Sequence, residues 1–234
     1  LAMRGLRPLA EIQYLDYIFY AIQVLTDELA TLRYRSVGQQ IAPLIVRTRG
    51  QRLEGIWHSG SPMGGLVNLL RGIYILSPRN MTQAAGMYNA LLKANEPAIV
   101  IEPLNGYRSK EALPENIGYF TTPIGEIEVI EEGFDITVVS YGSTLKIVCE
   151  ASERLRTFGI TCEIIDAQTL WPFDKSHRTI ESLKKTNRLA IIDEDVPGGY
   201  SAFLLKHIIS EQKGFSHLDT APLVISAKEH RPPY

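Results

Sequence analysis

An α/β chain with mostly parallel sheets and helices on their faces is predicted by three observations in the 234-residue sequence. Short apolar or β-branched runs alternate with stretches of three- and four-residue apolar spacing over nearly the whole length, the pattern of strand followed by helix followed by parallel strand. The rhythm breaks once, over residues 108–133, where charges, Pro114, Pro123 and several glycines read as a crossover between two domains. After the break the order is βαβαβαβ, which predicts an open, doubly wound domain.

The first unit occupies residues 7–50. Residues 9–14, entered through Pro8, and residues 43–48 (PLIVRT) are short apolar or β-branched runs expected as buried strands. Between them Leu15, Ile18, Phe19, Ile22, Leu25, Leu29 and Leu32 form an apolar stripe of about five helical turns, with Asp16 as the cap at its start. Residues 48–62 carry three glycines and little periodicity and are expected as a loop. A strand over 73–76 is closed by Ser77-Pro78. A helix over 81–93 is spaced by Ala84, Met87, Leu91 and Leu92, and a strand over 98–102 follows Pro97. Beyond the crossover, the strand 135–141 runs into Gly142-Ser143-Thr144 and a helix over 145–158 that Gly159 ends. The strand 160–167, helix 179–185, strand 188–193, helix 201–212 behind Pro197-Gly198-Gly199, and strand 223–227 complete the order. The expected division is therefore 1–113, a crossover over 114–133, and 134–234.

Composition limits the function. With 45% hydrophobic residues the chain can bury substantial cores. A net charge of −2, with acids and bases interspersed, gives no basic footprint for nucleic acid and no polybasic helix for a membrane surface. No apolar run approaches the ~18 residues of a membrane span, nor is there a signal-peptide core, so a cytoplasmic protein is expected. Cys149 and Cys162 are too few for a disulfide framework and lack ligand spacing; both are expected as thiols in or near the core. Because the chain opens on Leu-Ala-Met, it is expected to be a piece of a longer polypeptide.

Three residues stand out as candidates. His58, in Trp57-His58-Ser59-Gly60-Ser61-Pro62, is an imidazole on a Gly-rich loop beside small hydroxyl residues. That setting suits proton transfer or orientation of a carboxylate, the alternative being a loop histidine bonded to backbone. Gln13 at a strand end and Tyr17 at a helix start could line a site or could simply be core polar groups with partners. Gly142-Ser143-Thr144 at a helix N-terminus suits either an anion or a Ser143 cap. For Asp193-Glu194-Asp195, strand-end carboxylates at a solvent face or subunit interface are favoured over a metal site. Glu102-Pro103 with Tyr107-Arg108 is expected to be structural.

Several of these residues lie in blocks that together resemble one family. Arg7-Pro8, Glu11-Ile12-Gln13-Tyr14, Asp16-Tyr17-Ile18-Phe19, Ala21, Tyr34-Arg35, Gln39 and residues 43–48 make up the first block. His58-Ser59-Gly60-Ser61-Pro62 and most of residues 138–199 extend the match. The pattern is similar to the beta subunit, or the C-terminal half of a fused subunit, of the thiamine-diphosphate-dependent decarboxylating component of 2-oxoacid dehydrogenase complexes. The resemblance implies a partial transketolase-like pyrimidine-binding domain followed by a transketolase C-terminal-like domain. It implies His58 as a catalytic residue near the reacting 2-oxoacid, and Tyr17 stacked on the aminopyrimidine ring of thiamine diphosphate with Gln13 close by. Thiamine chemistry needs that ring held in an apolar cleft, and the cofactor then serves as electron sink for decarboxylation.

The resemblance also implies what must come from elsewhere. In the family, the glutamate that bonds the pyrimidine lies upstream of the Arg-Pro strand, and this chain has only six residues before Arg7. The diphosphate-binding GDG signature with its Mg²⁺ ligands is absent here, and belongs to an alpha subunit or a fused N-terminal half. The expected partners are that alpha part, a second beta subunit and a lipoyl-bearing dihydrolipoyl acyltransferase, with no nucleic acid or membrane. The fragment alone is expected to be inactive. The chain departs from the family pattern where a second histidine would precede Pro-Gly, reading Asn68-Leu69-Leu70-Arg71-Gly72. It departs again in residues 91–96, where Ala94 replaces a side-chain ligand for a potassium ion that some relatives bind. The alternatives are another transketolase-like enzyme, of transketolase or deoxyxylulose-phosphate synthase type, or a non-catalytic dimerisation and docking module.

Overall fold

A computed structural model describes residues 1–51 and 60–229. The chain is mixed α/β with two five-stranded, mostly parallel sheets. The first holds β1 (Leu9–Ile12), β2 (Ile45–Gly50), β4 (Ala98–Pro103), β3 (Tyr74–Leu76) and β8 (Thr169–Trp171) in that spatial order. The second holds β10 (Leu223–Ile225), β9 (Leu189–Ile192), β6 (Ile136–Ser140), β7 (Cys162–Asp166) and β5 (Glu128–Glu131). The antiparallel members, β8 against β3 and β5 against β7, are both at sheet edges. β8 comes from the region expected as the second domain, yet it completes the first sheet; β5 falls within the expected crossover. Both are too short for periodicity to mark them.

Alternation along the strands assigns their faces. Val46, Ile99, Ile101, Ile75, Val139, Ile165 and Ile191 belong to one continuous core running between the sheets, with Tyr141 and Tyr200 edge to face at 5.2 Å inside it. Ile45, Leu76, Ala98 and Val100 turn the other way, onto α3 (Met81–Leu91). Val138, Ile164 and Ala190 face α4 (Thr144–Arg156). On the inner side lie α2 (Met63–Leu69), α5 (Arg178–Thr186) and α6 (Tyr200–Lys206). α2 is a short helix within a stretch whose glycines conceal its periodicity. Met63, Leu66 and Val67 are at most 1% exposed, each contributing roughly 1.5–3 kcal/mol of burial.

Two expectations for the first unit are corrected. β1 is not buried: it is the outermost strand of its sheet, with Leu9, Ala10 and Glu11 exposed. The five-turn helix is instead a 3₁₀ segment (Leu15–Tyr20), a π-helical segment (Val24–Leu29) and a single turn, α1 (Leu32–Arg35). The three-residue step from Leu15 to Ile18 buries both side chains fully and suits the tighter 3₁₀ winding. Thr26 and Thr31 then return their hydroxyls to the carbonyls of Ile22 and Asp27, a side-chain competition that distorts helices. Asp16 does not cap this segment, whose flanking residue is Tyr14. The cysteines are free thiols, Cys162 buried and Cys149 half-buried. No helix among the described residues is long and apolar enough to cross a membrane.

Candidate functional site

The carboxyl edge of the first sheet brings the expected cofactor residues together. Gly50 closes β2 with no room for a side chain, since a Cβ there would lie 2.9 Å from Ile101 Cγ2 and 3.0 Å from Leu15 Cδ2. The close approach seats Leu15 and Ile18 inward and leaves Gln13 and Tyr17 exposed. Arg49 organises this surface. Its Nε donates to the Gln13 carbonyl at 2.8 Å, and its guanidinium lies 4.8 Å from the centroid of the Tyr14 ring. Tyr14 in turn meets Tyr17 edge to face at 5.8 Å. Between them Asp16 accepts from the Gly60 N–H at 3.1 Å. His58 itself lies outside the described residues.

Gln51 and, one residue beyond Gly60, Ser61 reach across to the second sheet. In that sheet the chain runs from β6 to β7 on one side and later to β9 on the other, so the switch point, where open α/β sheets take ligands, lies between β6 and β9. Gln51, 3% exposed, enters this crevice. It accepts from the Ser143 N–H at 2.7 Å and donates to Ser77 Oγ at 2.7 Å. Ser61 donates to Glu194 Oε1 at 2.8 Å, and Thr144 donates to Glu194 Oε2 at 3.3 Å.

The start of α4 is thus filled by protein groups rather than offered to an anion, and Ser143 forms no side-chain cap. Gly142 sits at φ +55° with the Gln51 amide where a Cβ would be.

The acidic run is likewise not a solvent-facing strand end. Asp193 and Asp195 are 5% and 7% exposed. Asp193 accepts from Tyr141 Oη at 2.6 Å and from the Ser201 N–H at 2.6 Å. Asp195 accepts from the amides of Gly64 at 2.8 Å, Val196 at 2.9 Å and Tyr200 at 3.2 Å. These bonds join the start of α2 to the start of α6. Gly64 is required at the contact, because a Cβ there would lie 2.4 Å from the Gly199 carbonyl carbon. Burial pushes the carboxyls of Glu194 and Asp195 above the usual range, against the hydrogen bonds they accept.

On the opposite face of the first sheet, Glu102 is buried. It accepts from Arg47 at 2.7 Å and from the hydroxyls of Tyr88 and Tyr107. Burial and this carboxylate push the Tyr107 phenol up to about 12. At residues 91–96, the Ala94 carbonyl accepts from Arg7, which also reaches Asn95 Oδ1 at 3.1 Å. Among the described residues no group of three or more His, Cys, Asp or Glu is arranged to hold a metal ion. Sequence reasoning missed Gln51, Ser61 and Arg49, since nothing local distinguishes a glutamine or serine that bonds to a partner about 90 or 130 residues away.

Comparison with known proteins agrees with this architecture. The transketolase C-terminal domain family matches residues 125–234. Among solved structures, a split-gene transketolase described as an inactive beta4 tetramer has the same fold. It superposes with a TM-score of 0.74 at 17% identity, over 97% of this chain and 68% of that one. The chain is thus a transketolase-like α/β protein.

It is 32% identical over 225 residues to the pyruvate dehydrogenase E1 component subunit beta of Acholeplasma laidlawii, covering 95% of this chain and 68% of that protein. It is 35% identical to the mitochondrial 2-oxoisovalerate dehydrogenase subunit beta of Chaetomium thermophilum, covering 93% and 47%. It is 32% identical to the acetoin:2,6-dichlorophenolindophenol oxidoreductase subunit beta of Bacillus subtilis, covering 99% and 66%. The chain belongs to the family of 2-oxoacid dehydrogenase beta subunits. It spans roughly half to two thirds of the length of these relatives.

Proposed function

We propose that this chain is the beta part of a thiamine-diphosphate-dependent 2-oxoacid dehydrogenase that decarboxylates a 2-oxoacid and passes the acyl group to lipoamide. Family membership sets the class. The observation that carries the site is the Asp16 to Gly60 hydrogen bond, which joins the Gln13 to Tyr17 surface to the segment bearing His58. In this reading Tyr17 stacks on the aminopyrimidine, which suits an exposed tyrosine on a rigidly seated turn, and Gln13 borders the same ring. His58 handles a proton or orients the oxoacid carboxylate.

The described residues fit the pyrimidine end of the cofactor, through an exposed aromatic and a neighbouring amide. Mg²⁺ and the diphosphate would be held by an alpha subunit or fused N-terminal half. When bound, thiamine diphosphate supplies the electron sink for loss of CO₂. A second beta subunit and a lipoyl-bearing dihydrolipoyl acyltransferase complete the partners, and a cytoplasmic location belongs to the same proposal. So does the division into a partial pyrimidine-binding domain over 1–113, a crossover over 114–133 and a C-terminal domain over 134–234. This chain without its alpha part is inactive.

The test is lipoamide-dependent turnover by the full-length protein with its alpha part, thiamine diphosphate and Mg²⁺. Pyruvate, 3-methyl-2-oxobutanoate and acetoin are offered in parallel. Release of CO₂ from either oxoacid is expected, and the preferred one names the substrate. Turnover of ketose phosphates instead would move the protein to the transketolase type. Assembly with partners but no cofactor binding would make it a docking module.

A further inference from the structure

We propose that Arg49 is a positioning residue for the cofactor, its guanidinium holding the turn over residues 13–17 so that the Tyr17 ring stands ready to stack on the aminopyrimidine. The inference rests on the function proposed above and deepens it by naming the side chain that prepares the stacking surface. The ladder between β1 and β2 ends with Ile12 opposite Thr48. One residue further on, the Arg49 side chain takes over, its Nε donating to the Gln13 carbonyl at 2.8 Å. The next carbonyl, that of Tyr14, accepts from the Tyr17 N–H at 2.9 Å. Two successive carbonyls at the strand end are thereby bonded, which fixes the direction in which the chain leaves β1.

The same guanidinium sets the rings. It lies 4.8 Å from the centroid of the Tyr14 ring, within the range of a cation–π contact. Tyr14 meets Tyr17 edge to face at 5.8 Å, with the ring planes at 87°. Leu15 and Ile18, fully buried, anchor the same turn in the core, while Gln13 and Tyr17 stay exposed. Arg47, two residues earlier on β2, provides the contrast, since it is bonded to Glu11, Glu102 and Tyr107. Among the described residues Arg49 has no carboxylate partner, and its hydrogen bond and its ring contact are both with this one turn. An exposed ring that is already ordered loses less freedom when a ligand stacks on it, so the ordering is read as affinity. Lysine cannot substitute, because its ammonium is a point charge without the planar fork that bonds a carbonyl through Nε and lies against a ring.

The test is titration calorimetry of thiamine diphosphate, with Mg²⁺, into the full-length protein with its alpha part, for Arg49→Ala, Arg49→Lys, Tyr17→Ala and the Arg49→Ala/Tyr17→Ala double variant. Arg49→Ala weakens binding roughly three- to tenfold, and kcat at saturating cofactor falls by a smaller factor. Arg49→Lys binds as weakly as Arg49→Ala, because charge without the fork does not hold the turn. The double variant binds within about twofold of Tyr17→Ala alone, as expected of a residue that acts through the tyrosine. A merely structural arginine would lower affinity equally whether Tyr17 is present or absent.

Undiminished affinity in Arg49→Ala, additive losses in the double variant, or wild-type affinity in Arg49→Lys would each overturn the inference, the last by showing that the guanidinium acts only as a charge. Should Arg49→Ala fail to fold, Arg49→Lys, which keeps the stem and the charge, decides the matter. Failure of the function is distinguishable: wild-type protein that binds no thiamine diphosphate overturns both, whereas weakened binding in Tyr17→Ala with unaffected binding in the Arg49 variants overturns this inference alone.

Discussion

The carboxyl edges of the two sheets have followed opposite courses from similar beginnings. At the first, β1 is exposed, the chain climbs away in 3₁₀ and π turns, and Gln13, Tyr17, Phe19 and Tyr20 face outward. At the second, α4, α5 and α6 pack on the faces, and the crevice between β6 and β9 is closed by Gln51, Ser61 and three carboxylates. A parallel sheet concentrates loops and helix N-termini at its carboxyl edge whatever its use. At the first edge Gln13, Tyr17, Phe19 and Tyr20 are exposed, whereas at the second the polar groups bond one another and the chain leaving β2. Substitutions at the two edges should therefore separate, changing stability at the closed edge and binding at the open one.

The largest effect is expected where the closed edge is most heavily bonded. Asp195→Ala removes the acceptor of three amides, two of them at buried positions, and should cost about 3 kcal/mol in urea unfolding. A loss below about 1 kcal/mol would show that water replaces the carboxylate and that the edge is less closed than its geometry implies. Next comes Gly64→Ala, whose methyl would meet the Gly199 backbone at 2.4 Å; about 2 kcal/mol is expected. Its control is the adjacent residue. A Cβ at Gly65 meets nothing within 4 Å, and Gly65→Ala should stabilise α2 by about 0.5–1 kcal/mol. Equal losses at both glycines would remove the packing explanation.

At the open edge the balance reverses. Tyr17→Ala should weaken thiamine diphosphate binding by roughly tenfold, about 1.4 kcal/mol, measured by titration calorimetry on the full-length assembly. Its urea midpoint should move much less than that of Asp195→Ala, because Tyr17 is 37% exposed. Undiminished affinity would withdraw Tyr17 from the cofactor site and weaken the contrast between the edges.

How much of this could be foreseen follows the range of each interaction. The edge strands β5 and β8 were not legible, but the βα alternation of the second half was, because it rests on local periodicity. So were Ile136–Ser140, Cys162–Asp166 and Leu189–Ile192, whose apolar composition matches full or near-full burial. β1 has the same kind of composition and is exposed, since an outermost strand and an inner one look alike in sequence. The stripe from Leu15 to Leu32 had helical spacing, but threonine hydroxyls and the three-residue step changed its winding. Gln13 and Tyr17 were singled out through resemblance; both are exposed, with Arg49 bonded to the Gln13 carbonyl and placed against Tyr14, which meets Tyr17. Gln51 and Ser61 bond across 92 and 133 residues respectively, and no window of sequence contains both ends.

The smallest expected effect is a pH dependence, and it tests whether the closed edge carries the electrostatic burden its burial implies. Desolvation raises the folded-state pKa of Glu194, with Asp193 adding to it and the Ser61 and Thr144 hydroxyls opposing. A carboxyl with a raised folded pKa binds its proton more tightly folded than unfolded. Its contribution to stability is full below the ordinary carboxylate pKa and is lost as pH rises through the raised value. Glu194→Gln cannot titrate, so the stability difference between variant and wild type should shift in favour of the variant as pH rises through that window. Urea midpoints of the two proteins, measured in parallel from pH 4 upward, report the difference directly. A constant difference would mean that Glu194 titrates as it does in the unfolded chain, and that the crevice is wetter than its burial implies.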